Sequence, residues 1–122
     1  MAKTLRVGMI GYGFMGKAHS NAWRQAPCFF ELPAEVSMST LCGRDARAVQ
    51  EAANKFGWAK SATDWRAVVD DPDIDVIDIS TPNDSHATIA IAAAKADKAI
   101  LCEKPLARDV GEAERMAEAV RR

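Results

Sequence analysis

The sequence predicts an α/β fold in three layers: a doubly wound parallel sheet, strand order 3-2-1-4-5, with helices on both faces. Two observations predict it. Short β-rich runs alternate with stretches of helical periodicity, the pattern that builds crossovers between parallel strands. A glycine-rich turn stands between the first such run and the first such helix, at the very start of the series. Right-handed crossovers then give the strand order.

The elements follow in turn. Leu5 to Ile10 (LRVGMI) is the first strand. The helix after the glycine turn runs from Phe14 to Ala26, with Phe14, Ala18, Ala22 and Ala26 at four-residue steps. Val36 to Leu41 alternates as a second strand. Asp45 is a good N-cap for a helix whose face is Ala46, Val49, Ala53 and Phe56, and Gly57 ends it. A short third strand is expected within Trp58 to Ala62, and a short helix over Asp64 to Val69. The turn "DDPD" leads into a fourth strand, Ile74 to Ile79. Thr81 to Asp84 opens a helix running to about Ala96, and Ala99 to Cys102 is the fifth strand. Asp109 and Glu112 fit a capping box for a last helix, with Val110, Ala113, Ala117 and Val120 as its apolar face and Met116 beside them.

Composition narrows the function classes. The chain has 122 residues, the size of one domain, read here as a single unit over 1–122. Net charge is −1, so no basic excess is available for a nucleic-acid backbone, and no nucleic-acid partner is expected. No apolar run approaches the roughly 20 residues that cross a bilayer, and "MAKTLRVGMIGYG" lacks a signal-peptide pattern. A cytoplasmic protein without a membrane partner is expected. Cys28, Cys42 and Cys102 are odd in number and far apart, which argues against a disulfide framework or a metal site. All three are expected to be small core hydrophobes.

Gly11, Gly13 and Gly16 form G-x-G-x-x-G, between a predicted strand and a predicted helix. In a Rossmann-type dinucleotide fold, the first glycine makes the tight turn, the second lets a pyrophosphate approach the backbone, and the third packs helix against strand. The helix N-terminus then offers free N–H groups and a positive dipole end. Tyr12, Phe14 and Met15 shape this phosphate turn. S-adenosylmethionine enzymes with a similar turn usually carry an acid just ahead of it; Met9 and Ile10 stand there instead.

Dinucleotide folds often hold the adenosine ribose with an acid at the end of the second strand. Here that position is Gly43, followed by Arg44. Glycine makes room for a 2′-phosphate, and an arginine can pair with one. The cofactor is therefore NADP or NAD, with NADP favoured. A solvated loop arginine is the competing reading, and Asp45 could still reach the ribose, although its capping role already explains it.

Ligands of open α/β sheets bind beyond the carboxyl ends of the strands. Two polar clusters fall there: "STPNDSH", Ser80 to His86, and "EKP", Glu103 to Pro105. With GYGFMG at Gly11–Gly16, TPNDSH at Thr81–His86 and CEKPLA at Cys102–Ala107, the chain resembles the Gfo/Idh/MocA oxidoreductases, which include sugar and inositol dehydrogenases. The resemblance covers essentially the whole chain. It implies that Lys104 is catalytic, contacting the substrate hydroxyl beside the nicotinamide, where a cation favours the developing alkoxide-like oxygen. It also implies that Glu103 binds cofactor or orients the lysine, that the Lys104–Pro105 bond is cis, and that Ser80, Thr81, Pro82 and Asn83 line the nicotinamide side. His86 either contacts the cofactor or bonds its own loop. His19 is read as structural, and Trp23, Trp58 and Trp65 as packing residues.

The resemblance further implies a second, substrate-binding domain that this chain lacks, carrying a proton-transferring residue. The expected function is oxidation or reduction of a sugar, polyol or inositol at a secondary alcohol or ketone. The isolated chain is expected to bind cofactor with little turnover, and to self-associate through the missing domain or an exposed sheet edge. A non-catalytic dinucleotide-binding module, a redox sensor or scaffold, is the alternative; it explains the glycine turn but gives no reason for Lys104.

Overall fold

Alternation of β-rich and helical segments produces the expected sheet. The computed structural model describes residues 3–121; Met1, Ala2 and Arg122, at the ends of the segment read as one domain, lie outside the described residues. The strands are β1 (Lys3–Ile10), β2 (Ala34–Cys42), β3 (Lys60–Ala62), β4 (Val76–Ile79) and β5 (Ala99–Cys102). They form one parallel sheet in the order β3-β2-β1-β4-β5. The helices are α1 (Phe14–Phe29), α2 (Ala46–Phe56), α3 (Trp65–Asp70), α4 (His86–Lys95) and α5 (Val110–Val120), with a 3-10 turn at Asn83–Ser85.

The period of two along β1 builds both faces. Val7 and Met9 point into one core with Leu41, Val49, Ala53, Trp58 and Val76, under α1 and α2. Ile10 points into the other, with Val68, Ile77, Ile79, Ile89, Ala93 and Met116, under α3, α4 and α5. Gly8, also on that face, matters for its size. A Cβ there would meet Val68 Cγ1 at 2.7 Å and Ile74 Cδ1 at 2.9 Å, so its absence lets α3 seat against the sheet.

Helix ends follow the capping chemistry. Asp45 Oδ1 accepts from Ala48 N at 2.9 Å, and Gly57 closes α2 in the left-handed region at φ 90°. Asp109 Oδ1 accepts from Glu112 N at 2.8 Å, half of the expected capping box. The other half differs: the Glu112 carboxylate reaches back to Arg108 N (2.8 Å) and to the Arg108 guanidinium (2.7 Å), one residue before the cap.

α5 is rolled relative to the expected face. Its buried residues are Glu112 and Met116, while Val110 and Val120, predicted to lie on its inner face, are 72% and 58% exposed. Glu112, paired with Arg108, lies on the side of α5 that faces the protein. Other differences are local. α1 passes through Pro27 and ends at Phe29 rather than Ala26, because a proline in the last turn removes only one helical bond and Phe30 N still reaches Ala26 O. β4 starts at Val76 rather than Ile74, because Asp75 bonds Arg6 with both its backbone and its carboxylate. α4 begins only at His86, after the 3-10 turn.

Cys42 is buried and Cys102 half-buried, and burial pushes both thiols up to about 11. Cys28 is exposed, because α1 continues past Pro27 at the surface, which corrects the expectation that all three cysteines sit in the core. No helix among the described residues is long and apolar enough to cross a membrane.

Candidate functional site

Strand order reverses direction between β1 and β4, so the loops leaving these strands diverge and leave a crevice at their carboxyl ends. The glycine turn fills one side of it. Gly11 has φ 100°, and a Cβ on it would lie 2.7 Å from the Ser80 carbonyl, so the turn after β1 presses backbone to backbone on the loop after β4. A Cβ on Gly16 would lie 2.5 Å from Gly11 O, which holds α1 tight against the turn. Gly13 is the opposite case: a Cβ there meets nothing within 4 Å. The one open glycine is the position where a pyrophosphate would approach. Gly13 is also the N-cap of α1, with no side-chain cap and no acid in the first turn, so its N–H groups face outward unneutralised. Phe14 is 85% exposed and Met15 partly exposed at the same rim. These residues fit a dinucleotide pyrophosphate.

At the end of β2 the backbone of Gly43 lies under the Tyr12 ring. A Cβ on Gly43 would fall 2.0 Å from Tyr12 Cε1, so the ring takes the place a side chain would occupy. Arg44 is exposed, and among the described residues its guanidinium makes no hydrogen bond or ion pair. Asp45 Oδ1 is taken by the α2 cap, and among the described residues its Oδ2 makes no hydrogen bond.

The other wall comes from β4 and β5. Glu103 N donates to Ile79 O at 2.9 Å, which carries Glu103 and Lys104 alongside Ser80 and Thr81. The Ser85 hydroxyl donates to Pro82 O (2.8 Å), so the Thr81 hydroxyl, 2.6 Å away, donates to Ser85 Oγ. These bonds shape Thr81–Pro82–Asn83 into a fixed loop. His86 is 1% exposed. Its Nδ1 lies 3.0 Å from Pro105 O and 3.3 Å from Leu106 O, and its Nε2 lies 2.7 Å from Thr81 O. Both ring nitrogens are thus used inside the protein, tying the loop after β4 to the loop after β5. Of its two possible roles, the geometry gives it that of a loop tie. The Lys104–Pro105 peptide is cis and Lys104 is exposed.

Sequence reasoning missed a cluster beneath this wall. Asp78, on β4, is completely buried. Its carboxylate accepts from Trp23 Nε1 (2.8 Å), from His19 Nδ1 (2.9 and 3.0 Å) and, weakly, from Ser80 Oγ (3.4 Å). His19 Nε2 meets Glu103 Oε2 at 2.7 Å. Burial alone would lower the His19 pKa, but bonds and charge from Asp78, then from Glu103, outweigh it and hold it above its ordinary value. Glu103 is held below the usual carboxylate range, first by the Lys104 N–H and then by His19. The available signal was an acid inside an otherwise apolar buried strand, which requires donors from elsewhere. Among the described residues no group of histidines, cysteines and carboxylates is arranged to hold a metal ion.

Comparison with known proteins agrees with this geometry. The profile of an oxidoreductase family with an NAD-binding Rossmann fold matches residues 5–122. Levoglucosan dehydrogenase of Pseudarthrobacter phenanthrenivorans is 51% identical over 120 residues, covering 98% of this chain and 31% of that protein. Among solved structures, an oxidoreductase domain protein from Kribbella flavida superposes with TM-score 0.93 at 56% identity, over 98% of this chain and 32% of that one. A levoglucosan dehydrogenase in complex with NADH and levoglucosan superposes with TM-score 0.95 at 51% identity, again over 98% and 32%. The chain spans about a third of the length of the relatives it matches.

Proposed function

Because the chain belongs to the Gfo/Idh/MocA oxidoreductase family, we propose that it is the cofactor-binding part of an NAD(P)-dependent dehydrogenase acting on a secondary alcohol, or the matching ketone, of a sugar or polyol. The observation that carries this reading is the contact of Gly11 with Ser80. It brings the open phosphate turn, the loop after β4 and the Glu103–Lys104 segment to one crevice.

Each residue group has a task there. The turn from Gly11 to Gly16 and the N-terminus of α1 hold the pyrophosphate. Ser80, Thr81, Pro82 and Asn83 line the nicotinamide side. Bound nicotinamide supplies a hydride acceptor or donor at its ring. Lys104, an exposed cation at the mouth of the crevice, holds the substrate oxygen and favours its negative charge as the neighbouring carbon loses hydride. A residue of a second domain takes the hydroxyl proton and completes the substrate contacts. Replacing Lys104 with alanine in the complete dehydrogenase is expected to lower kcat about 10²-fold, the scale of a positioned acid–base group. An unchanged kcat removes the lysine from the reaction and favours a non-catalytic binding module.

At the adenosine end the reading is preference for NADP(H) over NAD(H). The support is glycine where an acid would hold the ribose, and an exposed Arg44 whose guanidinium has no partner among the described residues. Titration of the chain with NADPH and with NADH, followed by nicotinamide fluorescence, tests both levels. NADPH is expected to bind tighter, and Arg44→Ala to weaken NADPH about tenfold while leaving NADH nearly unchanged, since one charge-assisted phosphate contact is lost. Tighter NADH binding overturns the Arg44 assignment. Binding of neither by a folded sample overturns the cofactor site. β5 is an edge strand with an open side, and pairing between copies along it is the proposed route of self-association; a monomeric solution mass rules it out.

A further inference from the structure

The proposed role of Lys104 requires that it be held, yet its side chain is exposed. The hold comes from below. Glu103 Oε1 accepts the Lys104 N–H at 3.1 Å, and Glu103 Oε2 accepts from His19 Nε2 at 2.7 Å. The opposite ring nitrogen of His19 faces Asp78, fully buried and further fixed by Trp23 and Ser80. We infer that His19 is a positioning residue: wedged between Asp78 and Glu103, its ring clamps the Glu103 carboxylate, and through it the Lys104 peptide, to the buried end of β4. This rests on the dehydrogenase reading for the use of Lys104, and on geometry alone for the clamp.

The chemistry of the wedge is specific. Carboxylate oxygens at both ends only accept, so the ring grips both only when both nitrogens donate, as the imidazolium; a neutral Nδ1 has the Ser80 hydroxyl, 3.2 Å away, as a donor in place of Asp78. A cation between two anions matches both contacts. A neutral ring turns one nitrogen into an acceptor facing a carboxylate and releases one grip. The groups facing His19 come from each packed element: Asp78 and then Ser80 from β4 and its loop, Glu103 from the end of β5, and Trp23 from α1 on the far side of Asp78. With its pKa raised, His19 grips fully below its unfolded value of about 6.5 and lets go as pH rises through the folded value.

The test measures the clamp directly in this chain. Ring nitrogen shifts of His19 read its protonation, and amide exchange of Lys104 reads the bond to Glu103. At pH 6 the ring is expected to be doubly protonated. His19→Gln and Glu103→Ala are each expected to lower the Lys104 protection factor about tenfold, and the double variant to add little, because both remove one linkage. In the wild type the same loosening follows the His19 titration as pH rises; in His19→Gln it is absent. Glu103 is at the surface end of the linkage, so its variant reports even where a His19 variant folds poorly. Unchanged Lys104 exchange in the folded variants, or a neutral His19 at pH 6, overturns the inference. NADPH and NADH titrations of the same samples separate the two readings. A wild type that responds in exchange but binds neither dinucleotide sinks the dehydrogenase reading and keeps the clamp; one that binds but does not respond does the reverse.

Discussion

Valine at Gly13 is expected to leave the chain folded and to weaken dinucleotide binding about 10³-fold. The fold survives because a Cβ at that position touches nothing within 4 Å, and the backbone sits at φ −68°, which any residue adopts. The stability change is limited to about 1 kcal/mol from a poorer N-cap. Binding fails because that open space is where the pyrophosphate must come close enough to use the α1 N–H groups. Losing two or more charge-assisted hydrogen bonds, each worth about 1.5–3 kcal/mol, gives a loss of that size. Alanine at Gly11 or Gly16 behaves differently. Their Cβ atoms run into backbone, Ser80 at 2.7 Å and Gly11 O at 2.5 Å, and backbone cannot rotate away. Those variants are expected to lose stability and binding together. Thermal melts beside NADPH titrations decide the matter: a Gly13→Val chain that binds like the wild type means the cofactor does not lie on this turn.

That three glycines of one motif divide into two packed against backbone and one left open was readable from their spacing. The strand order and the two polar clusters at the strand ends were readable too, because each is a local pattern. What was not readable lies across the sheet. Asp78 reaches 55 residues back to Trp23 and 59 to His19, and His19 reaches 84 forward to Glu103. No periodicity encodes such pairs. Within its own strand Asp78 is simply one polar letter in IDVIDI, and His19 one on a helix. The roll of α5 was hidden for a related reason. Its apolar stripe at Val110, Ala117 and Val120 obeys the helical period, but the side turned inward carries Glu112 and Met116, and the partner of that buried acid, Arg108, lies outside the helix. The placement of Tyr12 over Gly43 is of the same kind, two loops 31 residues apart meeting at one glycine.

Asp78→Ala is expected to destabilise the chain by about 3–5 kcal/mol, the effect of removing one partner from a buried charged cluster. Alanine leaves the Trp23 N–H and one His19 nitrogen without an acceptor in a site where Asp78 itself is 0% exposed. That is a large share of the 5–15 kcal/mol that a domain of this size has in total, and the melting temperature should fall by roughly 10–20 °C. Asp78→Asn separates hydrogen bonding from charge. Its amide oxygen still accepts from Trp23, while its NH₂ can meet His19 only as a donor facing an acceptor, so the ring becomes neutral on that side. A loss of about 1–3 kcal/mol is expected, and it should depend on pH with a definite sign. The wild-type contribution from charged His19 is fully present below about pH 6.5 and declines as pH rises through the raised folded value. The stability gap between wild type and Asp78→Asn should therefore be widest near pH 6 and narrow toward pH 9. Denaturant melts across that range measure it. A gap that is constant with pH would mean that His19 is neutral in the folded chain, and that the bonds to Asp78 act through geometry without charge.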